Sequence, residues 1–196
     1  MTLPRPSLLR LFVFCLCVLG IMSSVAAHAQ TGIYATFDAS RRSSTNVFLS
    51  PPTAADNTAT AWLYGPTVGF YYDFLHLGPV HLGSDVRGEF VHGGGFTRDS
   101  FLVGARLSVH PPLLPVKPYL QASVGLAHSK GIISGNYSNN PEYQIAGGVD
   151  FTVLPRIDWR VLEVGGGSLL NYTYGSGVNQ TNNIVTFSTG IVFRLP

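Results

Sequence analysis

The sequence predicts an all-β chain that closes into one eight-stranded antiparallel up-and-down transmembrane β-barrel. Three observations carry that expectation. Apolar and polar residues alternate with period two in segment after segment, short turns alternate with long polar loops, and only 11% of the residues are charged while 45% are hydrophobic. An average soluble domain is about 25% charged. A surface this poor in charge has to face something other than water.

The alternation is clearest from Trp62 to Phe74. The even positions carry Trp, Tyr, Pro, Val, Phe, Tyr and Phe, and the odd positions carry Leu63, Gly65, Thr67, Gly69, Tyr71 and Asp73. Period two over such a length is a strand with one apolar face. After Gly78-Pro79, Val80, Leu82, Val86 and Phe90 alternate with His81, Gly83, Asp85, Arg87 and Glu89. Phe101, Val103, Ala105 and Leu107 then alternate with Gly104, Arg106 and Ser108, and Leu120, Ala122, Val124 and Leu126 with Tyr119, Gln121, Ser123, Gly125 and Ala127. The pattern returns at Tyr143 to Val153, with Gln144, Gly148 and Asp150 on the other face, and at Val185 to Phe193. Weaker candidates at Ile33–Ser40 and Asp158–Tyr172 bring the count to eight.

Connections at 75–79, 111–117 and 154–158 are short and contain proline, whereas those at about 41–59, 92–100, 129–141 and 173–182 are longer and rich in Gly, Ser and Asn. Short turns on one side and long loops on the other characterise transmembrane barrels, the short ones periplasmic. Glycines recur on the polar face, at 65, 69, 83, 104, 125, 148 and 190, as a crowded narrow lumen requires. Aromatics mark the strand ends. Trp62, Phe90, Phe101, Tyr143 and Tyr172 lie toward the loops, and Phe74, Tyr119, Phe151, Trp159 and Phe193 toward the turns, so two interfacial girdles are expected.

Residues 1–29 read as a signal peptide, with Arg5 and Arg10, an apolar run from Leu11 to Ile21, and the small-x-small site Ala27-His28-Ala29 before Gln30. That run is shorter than the roughly 20 residues of a spanning helix. Residues 30–196 are then the barrel domain, exported to the bacterial outer membrane. Both cysteines, Cys15 and Cys17, lie in the leader, so no thiol chemistry is expected in the mature part. Without Arg5 and Arg10, ten of the twelve Lys+Arg remain against ten Asp+Glu. A balanced charge argues against a nucleic-acid partner.

Parity places Asp73, Asp85, Arg87, Glu89, Arg106, Gln121, Gln144, Asp150 and Arg160 in the lumen as a polar network of both signs. Arg106 is expected near Asp85 and Arg87, and Arg160 near Asp150. Strict alternation from Arg160 would point Glu163 into lipid, at a cost of up to about 2–4 kcal/mol. A β-bulge between Val161 and Gly165 is therefore expected to turn it inward.

Catalytic signals are thin. His92-Gly93-Gly94-Gly95 matches an oxyanion motif of esterases, but the G-x-S-x-G nucleophile elbow is absent, so the segment reads as a flexible second loop. His128 and Ser129, with Glu142 across the third loop, bear on barrel-type lipid A deacylases, which activate a serine with a histidine. The deacylase pattern His-x-Ser-Asn differs from His128-Ser129-Lys130, and loop-edge polarity is the expected role. His76, His81, His92, His110 and His128 show no ligand spacing, so neither a metal site nor a cofactor is predicted.

The whole mature pattern, closing with Phe187-Ser-Thr-Gly-Ile-Val-Phe193-Arg-Leu-Pro196, resembles the OmpA/OmpX-like small outer-membrane barrels. Members usually end on an aromatic residue that the barrel-assembly machinery reads; here Arg194, Leu195 and Pro196 follow Phe193. No OmpA-type peptidoglycan-binding domain is expected. The resemblance implies a non-enzymatic structural or surface-interaction role among outer-membrane lipids and lipopolysaccharide, with an unknown loop ligand. A narrow channel is the alternative reading, and a lipid A-modifying enzyme a more distant one.

Overall fold

The computed structural model describes residues 30–48, 57–130, 137–170 and 178–195. The expected signal peptide and Tyr172 lie outside the described residues. Eight antiparallel strands, β1 (Gln30–Phe48), β2 (Asn57–Leu77), β3 (Val80–Gly93), β4 (Phe96–Val109), β5 (Val116–Lys130), β6 (Tyr137–Leu154), β7 (Ile157–Leu170) and β8 (Val178–Leu195), follow one another around a closed ring. β1 pairs with β8 from Thr31↔Leu195 to Phe48↔Val178, so no sheet edge remains among the described residues.

The strands run from 14 to 21 residues, more than the 9–11 that cross a bilayer. The expected loops shrink accordingly. The β1–β2 ladder continues to Asn46↔Asn57, through a stretch of Ser, Thr, Arg and Asn read as loop. Alternation of apolar with polar residues marks a strand, and this polar stretch carries no apolar stripe. The expected 92–100 loop is a correction of the same kind. It is a tight turn at Gly94-Gly95, with Gly93 already paired to Phe96. Both glycines have positive φ, 59° and 83°, which only glycine adopts without strain.

The outer face is apolar. Val68, Val103, Val124 and Ile145 are exposed on it, and so are the aromatics Trp62, Phe90, Phe101 and Tyr143 toward the loops and Phe151, Trp159 and Phe193 toward the turns. Tyr119 is a correction: it is buried in the lumen, because it precedes the outward-facing Leu120 by one residue. β7 carries its bulge at Val161-Leu162, between Arg160 and Glu163 and within the expected span, ahead of Gly165-Gly166-Gly167. Both bulge residues face outward and Glu163 turns in, 4% exposed.

Candidate functional site

The interior of this barrel inverts an ordinary core. Arg98, Arg106 and Arg160 are among its largest fully buried side chains, and the buried apolar residues form only small clusters. All nine residues assigned inward by parity are buried. They are arranged in three levels, and Arg87, 3.8 Å from Glu89, joins the middle level to the one toward the loops.

The middle level is a neutral set of three guanidinium and three carboxylate groups. Arg87 on β3 donates to Asp85 at 3.2 Å and to Glu163 on β7 at 2.8 Å. Arg160 bonds to Asp150 at 3.0 Å and to Glu163 at 3.2 Å. Arg106 on β4 bonds to Asp150 on β6 at 2.9 Å, not to Asp85 as expected. In register Arg106 stands opposite Gly83, and the oxygens of Asp85 already receive Tyr34, Gln121 and Arg87. A long side chain in so narrow a lumen reaches a strand two positions away more easily than its crowded neighbour.

Aromatic rings interleave these cations. Arg106 lies between Tyr71 and Tyr119, 4.0 and 4.1 Å from their ring centres, and Arg160 between Tyr34 and Tyr119, at 4.3 and 4.8 Å. Arg87 covers Tyr34 at 5.8 Å. The order Tyr71, Arg106, Tyr119, Arg160, Tyr34, Arg87 is one alternating stack, each contact supplementing the ion pairs by cation–π attraction. Each ring rests on a glycine of the adjacent strand: Tyr71 on Gly32, Tyr34 on Gly69 and Tyr119 on Gly148. A Cβ at any of the three would run into the ring. The inward glycines at 69 and 148 thus seat particular tyrosines.

Toward the loops, Arg98 bridges Glu142 at 2.6 Å and Glu89 at 2.8 Å, and Ser100 donates to Glu142 at 2.6 Å. Sequence reasoning missed Arg98 because it assigned 92–100 to a loop, although Arg98 shares its parity with Arg106. Arg42, another missed cation, donates to Asn182 at 3.1 Å and covers Phe96. Glu142, considered beside His128 and Ser129, is an anchor for Arg98. Those two neighbours point to opposite faces: Ser129 is buried inside, while exposed His128 contacts Asn139 at 2.6 Å and stacks on Tyr137.

Toward the turns, Asp158 accepts a hydrogen bond from Lys117 at 2.8 Å and forms an ion pair with Arg194 at 3.1 Å. Asp73 lies here, and makes no hydrogen bond to the arginine stack. Beside it stand His81 and His110, whose ring centres are 4.0 Å apart. The strands β2 and β3 and the end of β4 thus bring together three possible ligand residues whose proximity no spacing in the chain shows. His110, just beyond β4, is held neutral, its pKa pushed down to about 3 by burial first and then by His81, Lys117, Arg106 and Arg194.

A closed ring of eight antiparallel strands, apolar outside and ionic inside, decides the fold. It is that of the small outer-membrane β-barrels. No family model matches the chain, and no curated protein matches it in sequence. Among solved structures, the barrel is similar to OprG from Pseudomonas aeruginosa at 8% identity, covering 86% of this chain and 96% of that one with a TM-score of 0.48. It is similar to Ail, the attachment invasion locus protein of Yersinia pestis, at 11% identity, 86% and 99% coverage and a TM-score of 0.46. Neisserial surface protein A matches at 16% identity, 82% and 97% coverage and a TM-score of 0.45.

Proposed function

We propose that this chain is an exported, non-enzymatic outer-membrane protein, a barrel plugged by its own side chains that holds its longer hairpins at the cell surface for envelope integrity or surface interaction. One observation carries the reading. Arg87 and Glu163 meet at 2.8 Å although β3 and β7 stand four strands apart in a ring of eight, so this pair spans the lumen. Buried charges persist only when paired, and eight strands enclose just enough space for side chains to fill. The apolar outer face suits lipid tails and lipopolysaccharide, and the outward Ile191 and Phe193 near the end of β8 suit recognition by the barrel-assembly machinery. The separation of His128 from Ser129 favours the non-enzymatic reading over lipid A modification, which needs such a pair within hydrogen-bond reach.

The purified protein in a planar bilayer is expected to give no steady conductance. Large, stable ion-passing steps from the wild type would overturn the plugged-barrel reading and promote the channel. Cell fractionation is expected to recover a product beginning at Gln30 in the outer membrane, migrating as a compact species in SDS until heated. A soluble periplasmic product with no heat shift would overturn the membrane assignment itself.

A further inference from the structure

We infer that Asp73, His81 and His110 form a binding site for one divalent metal ion of the zinc type at the turn end of the barrel. One ligand atom from each residue lies within 4.8 Å of the other two. Zinc bonds of about 2.0–2.1 Å hold tetrahedral ligands roughly 3.4 Å apart, so small imidazole rotations close the set. Two imidazoles and a carboxylate leave a fourth position for water, and that donor set suits zinc ahead of the oxygen-seeking magnesium or calcium.

A second observation points to a cation. Asp73 is 1% exposed, and among the described residues neither of its carboxylate oxygens has a hydrogen-bond partner. Of the cations around the site, Arg106 is paired with Asp150, and Lys117 and Arg194 with Asp158. His81 Nδ1 approaches Asp73 only to 4.0 Å and likewise has no partner. A buried carboxylate without donors is costly, and a shared cation would satisfy both groups at once.

The fold builds the site locally. His76 and His81 face each other across the Gly78-Pro79 turn with ring centres 4.2 Å apart, so His76 supports the ring of His81. The amide of His110 donates to the Pro79 carbonyl at 2.6 Å, which ties the end of β4 to the β2–β3 hairpin. Asp73 stands opposite Gly83, where a Cβ would meet its carboxylate.

The test uses the mature, untagged barrel, stripped with chelator and titrated with zinc chloride by calorimetry, with the melting temperature followed in parallel. One equivalent is expected to bind and to raise the melting temperature. His110→Ala, which lies outside the strand ladder, and Asp73→Asn are each expected to weaken binding at least about tenfold. His128→Ala, at the loop end, is expected to leave it unchanged. Heat-shifted mobility in SDS confirms that each variant is folded. A folded wild type that takes up no zinc, or a His110→Ala variant that binds as tightly as the wild type, would overturn the site.

Discussion

Arg160→Met is expected to destabilise the folded barrel by about 3–5 kcal/mol, the usual cost of stripping one partner from a buried ion pair. Arg160 is 0% exposed and serves two carboxylates, Asp150 and Glu163, while lying between Tyr34 and Tyr119. Methionine replaces much of the apolar stem but none of the charge, leaving the middle level with two guanidinium groups against three carboxylates. Reversible urea unfolding of the barrel refolded into lipid vesicles measures the loss. The double variant Arg160→Met/Glu163→Gln restores neutrality, and Arg87 retains an acceptor at position 163, so it is expected to lose less than the single variant. Equal losses would mean that packing, not charge, is what Arg160 contributes. A single-variant loss below about 1 kcal/mol would remove the ionic stack from the account of stability.

Ala105→Arg is expected to cost about 2–4 kcal/mol in the same assay, the penalty for arginine on a lipid face at mid-membrane. Ala105 is exposed on the outer face, paired with Ser84 and Ala122, four residues before the turn end of β4 at Val109. A crossing of 9–11 residues puts that depth near the bilayer centre. Leu114→Arg is the matched control. Leu114 is 61% exposed in the turn between β4 and β5, and arginine there stays in water at a cost near zero. If both variants unfold at the same urea concentration as wild type, the apolar outer face is not in lipid.

The ring of eight strands was legible because its cause is local. In β4 and β5 the identity of each residue and its parity decide which side it takes, and Val103 and Val124 meet outward while Arg106 and Gln121 meet inward, without reference to any other strand. The limits were physical too. The ladder from Ser43 to Asn46 and the stretch from Arg98 to Ser100 carry no apolar stripe for a reader to follow, so both passed as loops. At Tyr119 two signals conflict: an aromatic ring near a strand end suggests a girdle, whereas parity with Gln121 puts it inside, and parity prevails.

By itself the sequence determined the number of strands, the face each side chain takes along a regular stretch, and the poverty of surface charge that calls for lipid. Tertiary structure alone decided the partners. That Arg106 meets Asp150 and not Asp85, that Tyr119 lies on Gly148, and that Asp73 stands with His81 and His110 all depend on register and on closure of β8 against β1. The inward turn of Glu163 follows from the sequence, and the structure sets its place at the Val161-Leu162 bulge. The physical reason is range: facing follows from the two-residue pleat of a single strand, whereas a contact across the lumen follows from the stagger of the whole ring, which no short stretch of the chain contains.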